Sequence, residues 1–284
     1  MKAIFLNLAA WSILPVMDGM AKHLSTQIPV LQVVWGRYFF MVLISLPLTY
    51  FFFKHHLKWP SNTQIQFFRS IFLFLSTVLF FYAISVLPLA DSLTLMFFSP
   101  IIVTLLSAIF LKEKVGFKRW IAVFIGFLGA LVVIRPGFNE INLATMAAMG
   151  AGISYALYIV STRKLSFADS PLLTLIFTGL SGSIIISIIV PWVWVPLSFN
   201  QWSLLICLAA VGTIGHLLLI LSLNFAEASK LAPLGYFEIV SNILIGYVFF
   251  NDFPDKWIWI GLFFIISSGV YISLRENNKH VYKK

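Results

Sequence analysis

Long apolar stretches separated by short polar turns constrain this chain more than any other feature. In the segment 87–136, the apolar stretches 92–111 and 120–134 are joined by the basic turn 112–119. Each stretch has nearly the length that a helix needs to cross about 30 Å of hydrocarbon at about 1.5 Å per residue. Both lack the strict alternation of outer-membrane strands. The pattern therefore predicts helices that cross a membrane.

The composition agrees with a membrane protein and excludes an ordinary soluble domain. Hydrophobic residues make up 60% of the chain, charged residues only 10%, and the mean hydropathy is +0.97. Too little charge is present to cover a soluble surface of this size. The pattern predicts ten spans, at residues 4–21, 30–53, 67–87, 92–111, 120–134, 143–161, 172–190, 202–223, 231–250 and 258–274.

Positive charge is distributed unevenly over the turns between these spans. With the N-terminus inside, fourteen Lys and Arg residues fall in cytoplasmic segments, and three, Lys22, Arg135 and Lys256, fall in outward ones. Because basic residues favour the cytoplasmic side, both termini are predicted to be cytoplasmic in a multi-pass protein of the inner membrane. The same placement explains the net charge of +9 without any nucleic-acid partner.

The two ends of the chain carry similar patterns. Three pairs share one offset (259 − 120 = 139): Glu113 with Asp252, Trp120 with Trp259, and Phe124 with Phe263. An offset of about half the chain favours an internal duplication. Since five spans per half is an odd number, the second half would insert upside down. We therefore predict an all-α integral membrane protein of ten helices in two inverted five-helix repeats, residues 1–137 and 138–284.

Several local sequences carry a family resemblance. They are Ser99-Pro100, Leu111-Lys112-Glu113, and Gly126 with Gly129. With the paired end segments, they resemble the drug/metabolite transporter superfamily in its ten-span EamA-type branch. The resemblance implies a secondary transporter that uses neither ATP nor a cofactor.

A narrower similarity is to family members linked to uptake of S-adenosylmethionine or flavin-like metabolites. It rests on Asp18, Lys22, Arg37, Arg69, Glu238 and the segment 251–255.

Charged residues inside the apolar spans are the main site candidates, because each costs about 2.5–3.5 kcal/mol at mid-span. Asp18 and Lys22 lie four residues apart on one helix face. They pair with each other, or Asp18 pairs with Arg37 or Arg69. Lys22 either faces the cavity or extends outward as a snorkelling side chain. Asp18 lies deeper and is expected to line the cavity.

Arg37, flanked by Trp35 and Tyr38, is the candidate for gripping an anionic group, since a guanidinium binds a carboxylate or phosphate with two hydrogen bonds. The alternative is a structural salt bridge to Asp18. Arg69 lies near the cytoplasmic end of its span, where a snorkelling or headgroup-binding role is favoured over a ligand.

Glu238 is the strongest single candidate for a functional residue. Burial in an apolar helix favours a neutral carboxyl group, so Glu238 is a candidate proton-coupling group or partner of a cationic substrate. The alternative is a structural pair with a cavity arginine. Asn242 lies one turn further on the same face and can bind Glu238 or the substrate.

Polar aromatic residues complete the set of candidates. His216 has no second metal ligand in view, and a core histidine with one hydrogen bond is favoured over a proton relay. Tyr82, Tyr155 and Tyr158 can stack on a flat substrate, although packing is the default for aromatic residues in so aromatic a chain. The single cysteine, Cys207, excludes an intrachain disulfide, and a packed apolar thiol is expected.

These observations predict a secondary-active transporter of a small polar or zwitterionic metabolite, such as an amino acid or a compound like S-adenosylmethionine. It would work by alternating access in the lipid bilayer, as a monomer or homodimer, with coupling to protons or a counter-substrate. The alternatives are a multidrug or cation exporter of the same fold and a membrane-embedded lipid-modifying enzyme. No metal, cofactor or catalytic motif is expected.

Overall fold

The computed structural model describes residues 1–53, 58–97, 99–134 and 142–250, with residues 256, 257, 259–261, 263, 264 and 267 beyond them. Arg135, Asp252 and most of the predicted tenth span lie outside these residues. All regular elements in the described ranges are helical, as predicted. The helices are α1 (Lys2–Ser25), α2 (Val30–Phe52), α3 (Thr63–Val86), α4 (Leu89–Met96), α5 (Ser99–Phe110), α6 (Phe117–Ile134), α7 (Leu143–Leu165), α8 (Pro171–Ile189), α9 (Phe199–Phe225), α10 (Ala228–Leu231) and α11 (Glu238–Phe250).

Most of these helices have membrane dimensions. Seven stretches of the described residues are long and apolar enough to cross a membrane: α1, α2, α3, α7, α9, Pro171–Val193 and Ala228–Phe249. About half of each is buried inside the bundle, and the rest of the apolar surface faces outward. This division is typical of helices that pack on one face and contact lipid on the other.

Local capping sets where several helices begin. The side chains of Asn62, Asn142, Ser170 and Ser198 each accept a hydrogen bond from the backbone amide three residues on, at the starts of α3, α7, α8 and α9. Such caps satisfy one of the amides that have no partner within the helix. The helix starts are therefore encoded by the residues that precede the apolar runs.

The bundle is held together by contacts between helices far apart in sequence. Helix α1 packs along α9, α3 along α7, and α2 against α8 and α9. Two glycines allow close approach: Gly182 lies against the ring of Tyr38, and a Cβ at Gly152 would come within 2.7 Å of the Met96 carbonyl oxygen. Small residues allow this close packing in membranes.

Two of the predicted spans are broken helices. The span predicted at 92–111 consists of α4 and α5, because Pro100 cannot donate a backbone hydrogen bond to the carbonyl of Met96. The span predicted at 231–250 consists of α10, the 3₁₀ segment Ala232–Phe237 and α11. Each of these two predicted spans is therefore built from shorter helices, and Ala228–Phe249 as a whole still has the length and apolar character of a membrane span. Helices α10 and α11 begin 139 residues after α4 and α5 respectively (228 − 89 and 238 − 99).

Candidate substrate cavity

Two adjoining cavities lie inside the bundle where the broken helices meet α1, α7 and α9. The first, which we call the charged cavity, is lined by Asp18, Arg37, His216 and Glu238, among others. The second, the apolar cavity, is lined mainly by carbon-rich side chains near Pro100. The two cavities share Trp11, Met96, Tyr155 and Glu238 as common walls.

Both cavities are narrow in this conformation. Each has a volume of about 40 Å³, which is enough for one or a few water molecules. An organic substrate therefore needs the surrounding helices to separate before it can enter.

Helix α1 contributes one continuous face to both cavities. Asn7, Trp11, Leu14 and Asp18 follow each other at intervals of four, three and four residues, so they share a helix face. The indole Nε1 of Trp11 donates to Asn7 Oδ1 at 2.9 Å, and Asn7 Nδ2 donates to Ser222 Oγ at 3.2 Å. Sequence reasoning missed Asn7 and Trp11, although their spacing from Asp18 is a usable signal.

Arg37 is held in place by two hydrogen bonds. One terminal nitrogen donates to Thr77 Oγ1 at 2.7 Å, and the other lies 2.6 Å from Nε2 of His216. Because the Thr77 hydroxyl donates to the Leu73 carbonyl at 2.8 Å, it accepts from both Arg37 and the Tyr38 hydroxyl, which lies 2.9 Å away. Thr77 was not identified from the sequence, since a lone threonine in an apolar helix carries no distinctive signal.

Arg37 is not the partner of Asp18 in a structural salt bridge. Among the described residues Arg37 forms no salt bridge, and its side chain is 4% exposed. The guanidinium is instead fixed by Thr77 and His216, and Arg37 and Asp18 line the same cavity. This arrangement leaves the positive charge uncompensated by direct contact.

Asp18 and Glu238 are the two carboxylates of the charged cavity. They are 3% and 7% exposed, and within the described part of the chain neither side chain has a hydrogen bond or a salt bridge. The two carboxyl groups line the same cavity. Glu238 reaches the cavity because it begins α11, directly after the 3₁₀ segment. Two buried carboxyl groups in this state can bind a cation or hold a proton.

Asn242 lies beside Glu238 but does not contact its carboxylate. Its Nδ2 donates to the backbone carbonyl of Glu238 at 3.1 Å. Tyr155 lies between the two cavities with its ring edge-on to Trp11, at 6.0 Å between centroids. The Tyr155 hydroxyl has no hydrogen-bond partner among the described residues. The ring of Tyr158 packs between those of Tyr155 and His216, with centroid separations of 5.6 and 6.1 Å.

Seven candidate residues line neither cavity: Lys22, Trp35, Tyr38, Arg69, Tyr82, Tyr158 and Asn242. Lys22 Nζ donates to the Leu87 carbonyl at 3.1 Å. The ring of Trp35 stacks on Phe39, and its Nε1 donates to Ser187 Oγ at 3.1 Å. Tyr82 is half-buried and lines neither cavity.

Arg69 also lies outside the cavities, but it is buried rather than at the surface. Its side chain is 0% exposed. The guanidinium donates to Thr162 Oγ1 at 3.2 Å, to the Thr174 carbonyl at 2.6 Å and to the Thr178 hydroxyl, while Nε donates to Gln66 Oε1 at 3.2 Å. The expectation of a snorkelling arginine was therefore wrong, because polar groups of α7 and α8 replace the headgroup region as its partners.

The remaining sequence expectations concern metals and the thiol. Among the described residues no cluster of three His, Cys, Asp or Glu side chains could hold a metal ion. Cys207 is exposed on the outer surface of the bundle, so the expectation of a packed thiol was wrong.

A second group of charged residues lies at the ends of α5, α7 and α9. Both carboxylate oxygens of Glu113 accept hydrogen bonds from the start of α10, and Arg163 Nε lies 3.6 Å from Glu113 Oε1. Glu227 is bound by Arg119 at 2.8 Å and by Lys230 at 3.2 Å. Partial burial raises the pKa of Glu227. The positive charges of Lys230 and Arg119 and their hydrogen bonds together lower the pKa by more than burial raises it, so it lies below its usual value.

A bundle of membrane-length helices around buried charges is typical of membrane transporters. The model of the EamA-like transporter family matches residues 1–135 and 142–274. The chain therefore belongs to the EamA-like transporter family, which confirms the resemblance found in the sequence. The family and the curated relatives described below carry the names of transporters.

Named relatives include transporters of several substrates. The chain is 26% identical to an S-adenosylmethionine uptake transporter of Rickettsia conorii, over 93% of this chain and 90% of that protein. It is 28% identical to a riboflavin transporter of Vibrio cholerae over 68% and 65% of the two chains. It is 27% identical to a pseudopaline exporter of Pseudomonas aeruginosa over 91% of each.

A solved crystal structure shares the fold. It superposes with a TM-score of 0.77 at 15% identity, covering 97% of this chain and 96% of the other. At this identity the match establishes the fold alone.

Proposed function

We propose that this protein is a secondary-active transporter of the inner membrane that moves a small organic metabolite with both cationic and anionic groups. The observation that carries the proposal is the pair Asp18 and Glu238. Both are buried carboxylates of the charged cavity with no hydrogen bond or salt bridge in the described part of the chain. Arg37 places one positive charge in the same cavity.

The proposed architecture is ten spans in two inverted five-helix repeats, residues 1–137 and 138–284, with both termini cytoplasmic. Two observations support it. The family model matches the chain twice, at 1–135 and 142–274, and the broken helices of the two halves begin at a constant offset of 139 residues. Alternating access would proceed by rocking the two halves about the charged cavity.

The charges of the cavity favour a particular kind of substrate. Two carboxylates and one guanidinium complement a molecule that carries two cationic groups and one anionic group. At an effective dielectric constant of about 20, each direct pair contributes about 4 kcal/mol of attraction at about 4 Å. Asp18 and Glu238 would bind the cationic groups, and Arg37 would bind the anionic one.

S-Adenosylmethionine has this charge pattern, with a sulfonium, an ammonium and a carboxylate group. The name of the Rickettsia relative therefore agrees with the chemistry of the cavity. Riboflavin carries no such charges, so the cavity favours the first substrate class over the second. In the empty protein one of the carboxyl groups would hold a proton, which couples substrate binding to proton release.

The test is transport by purified protein in liposomes. We expect saturable uptake of labelled S-adenosylmethionine that is stimulated by the unlabelled compound inside the vesicle. Asp18→Asn, Glu238→Gln and Arg37→Gln should each abolish uptake. Glu227→Gln, which changes a carboxylate outside the cavity, is the matched control and should retain it. Normal uptake by all three cavity variants would refute the site, and flux that does not saturate would indicate a channel.

A second function is an exporter of organic cations, which the excess of carboxylates in the same cavity also favours. It predicts that cells producing the protein accumulate less of several unrelated cations. Vesicles would then take up these cations in exchange for protons, and the Arg37 variant would remain active because such compounds lack an anionic group. Loss of transport in the Arg37 variant would exclude this function.

A further inference from the structure

We propose that His216 is a specificity-determining residue that stays uncharged and donates a hydrogen bond from Nδ1 to an acceptor oxygen of the substrate. The inference rests on the proposed transport function and assigns His216 a role within the same cavity. It identifies the substrate as a molecule that presents a carboxylate or carbonyl oxygen beside its cationic group.

The first step is the protonation state of the imidazole ring. A guanidinium has hydrogen-bond donors and no acceptor. Since a terminal nitrogen of Arg37 lies 2.6 Å from His216 Nε2, that ring nitrogen must be the acceptor and cannot carry a proton. A doubly protonated ring would place two N–H groups and two positive charges against each other. His216 is therefore neutral, with its proton on Nδ1.

The second step is the absence of a partner for that proton. Within the described part of the chain, Nδ1 of His216 has no acceptor, and the side chain is 3% exposed. Buried donors without acceptors are costly and uncommon in folded proteins. His216 lines the charged cavity, so opening of the cavity makes a substrate the natural source of the acceptor.

The surroundings of the ring agree with a neutral donor. Arg37 of α2 contacts it directly, and the positive charge of Arg69 on α3 also acts on it. Tyr158 of α7 packs edge-on against the ring, and Asp18 of α1 and Glu238 of α11 line the same cavity. Tyr155 also lines this cavity, and its hydroxyl has no partner among the described residues. Arg37 and His216 therefore form a combined site for an acceptor group, opposite in character to Asp18 and Glu238.

The first experiment measures the tautomer, whatever the substrate is. Heteronuclear NMR of the protein labelled at the histidine nitrogens, in detergent near neutral pH, should show for His216 a protonated Nδ1 and an unprotonated Nε2. The signals are assigned by their loss in His216→Gln. A ring protonated on Nε2, or on both nitrogens, would overturn the proposal.

The second experiment separates recognition from structure with two amide replacements. In His216→Gln the amide oxygen can still accept from Arg37, but the donor at the Nδ1 position is lost. In His216→Asn an amide nitrogen lies near the Nδ1 position. The probes are S-adenosylmethionine and its decarboxylated analogue, which keeps the positive charges and lacks the carboxylate. Both variants should first show a thermal midpoint close to that of the unmodified protein.

We expect His216→Gln to weaken binding of S-adenosylmethionine by about tenfold or more, as for one hydrogen bond to a charged group, and to leave the analogue within about twofold. His216→Asn should recover part of the loss. Equal losses for both probes would mean a structural role and would overturn the proposal. If neither probe binds the unmodified protein, the substrate assignment fails, and the NMR result alone decides the state of His216.

Discussion

Glu113 accepts a hydrogen bond from the backbone amide of Ala228 at 3.0 Å and so joins the turn after α5 to the start of α10. The other carboxylate oxygen accepts from the amide of Ser229, also at 3.0 Å. The turn can deliver this side chain because Lys112 adopts a left-handed backbone conformation, with φ of 53°. Glu113 therefore holds the start of the broken helix that carries Glu238 further along.

Replacing Glu113 with glutamine should destabilise the protein. The side chain is 7% exposed, and the change removes the charge that Arg163 and the two amides share. We expect a loss of about 1–3 kcal/mol in the free energy of unfolding, as for a buried charged hydrogen bond. Urea or thermal unfolding of the purified protein measures it. Glu227→Gln is the control, because that side chain is 32% exposed and should cost less. Equal losses of unfolding free energy in the two variants would show that the contact of Glu113 with α10 adds no stability beyond that of a more exposed carboxylate.

The pH dependence of stability should include a contribution from Glu227. Its pKa is lowered in the folded protein by Lys230 and Arg119, despite the opposing effect of partial burial. A carboxylate with a lowered pKa stabilises the folded state above its unfolded pKa, and the contribution is lost as the pH falls through the folded pKa. We expect the thermal midpoint to fall more steeply below about pH 4.5 in the unmodified protein than in Glu227→Gln. Parallel curves would contradict this assignment.

The sequence alone identified the residues whose cost in an apolar helix is high. A charge inside a membrane span is energetically costly and usually has a functional role, so the sequence could predict Asp18, Arg37 and Glu238 as site residues. All three line the charged cavity. Thr77 could not be predicted, since its role depends on where Arg37 of another helix points. The hydrophobic pattern also predicted the helices, but not that α4 ends at Met96 or that a 3₁₀ segment, Ala232–Phe237, precedes α11.

The depth of Arg69 could not be inferred either. Its partners Thr162, Thr174 and Thr178 lie about a hundred residues further along the chain, and no sequence feature near Arg69 indicates them. Position along a predicted span gives the approximate depth in the membrane, whereas burial depends on which helices pack against that span. Hydrogen-bond partners on distant helices therefore cannot be identified from a single sequence.

Arg69 should contribute to stability without taking part in substrate binding. Arg69→Ala removes a fully buried side chain and its four hydrogen bonds to α3, α7 and α8. We expect a loss of about 2–5 kcal/mol in the free energy of unfolding, typical of large-to-small changes at buried positions. Protein that remains folded should bind substrate with unchanged affinity. Arg37→Ala is the contrasting variant, since it should lose binding at a smaller cost in stability. A binding defect in folded Arg69→Ala protein would place Arg69 in the site after all.

Gly152 should tolerate no side chain. A Cβ there would lie 2.7 Å from the carbonyl oxygen of Met96, a backbone atom that cannot rotate away. We expect Gly152→Ala to separate α7 from the break between α4 and α5, at a cost of about 1–3 kcal/mol. Gly116→Ala is the control, because nothing lies within 4 Å of a Cβ at that position. Thermal unfolding compares them, and similar midpoints would show that α7 can move without penalty.

Thr77 should affect substrate binding through Arg37. Thr77→Val keeps the shape of the side chain but removes the oxygen that accepts from Arg37 and from the Tyr38 hydroxyl. Under the proposed function, the guanidinium then loses one of the two contacts that orient it, and an anionic group must be bound by a less ordered donor. We expect S-adenosylmethionine to bind about tenfold more weakly, since each hydrogen bond to a charged group contributes about 1.5–3 kcal/mol.

The neighbouring serine provides the control for Thr77. Ser76 also lines the charged cavity, but its hydroxyl donates to the Ala151 carbonyl at 3.0 Å and does not contact Arg37. Ser76→Ala should therefore leave the affinity within about twofold, as expected when a neutral hydroxyl away from the binding contacts is removed. The decarboxylated analogue should bind Thr77→Val and the unmodified protein equally, because it has no carboxylate for Arg37 to hold. If Thr77→Val weakens both compounds alike, Thr77 shapes the cavity rather than orienting Arg37.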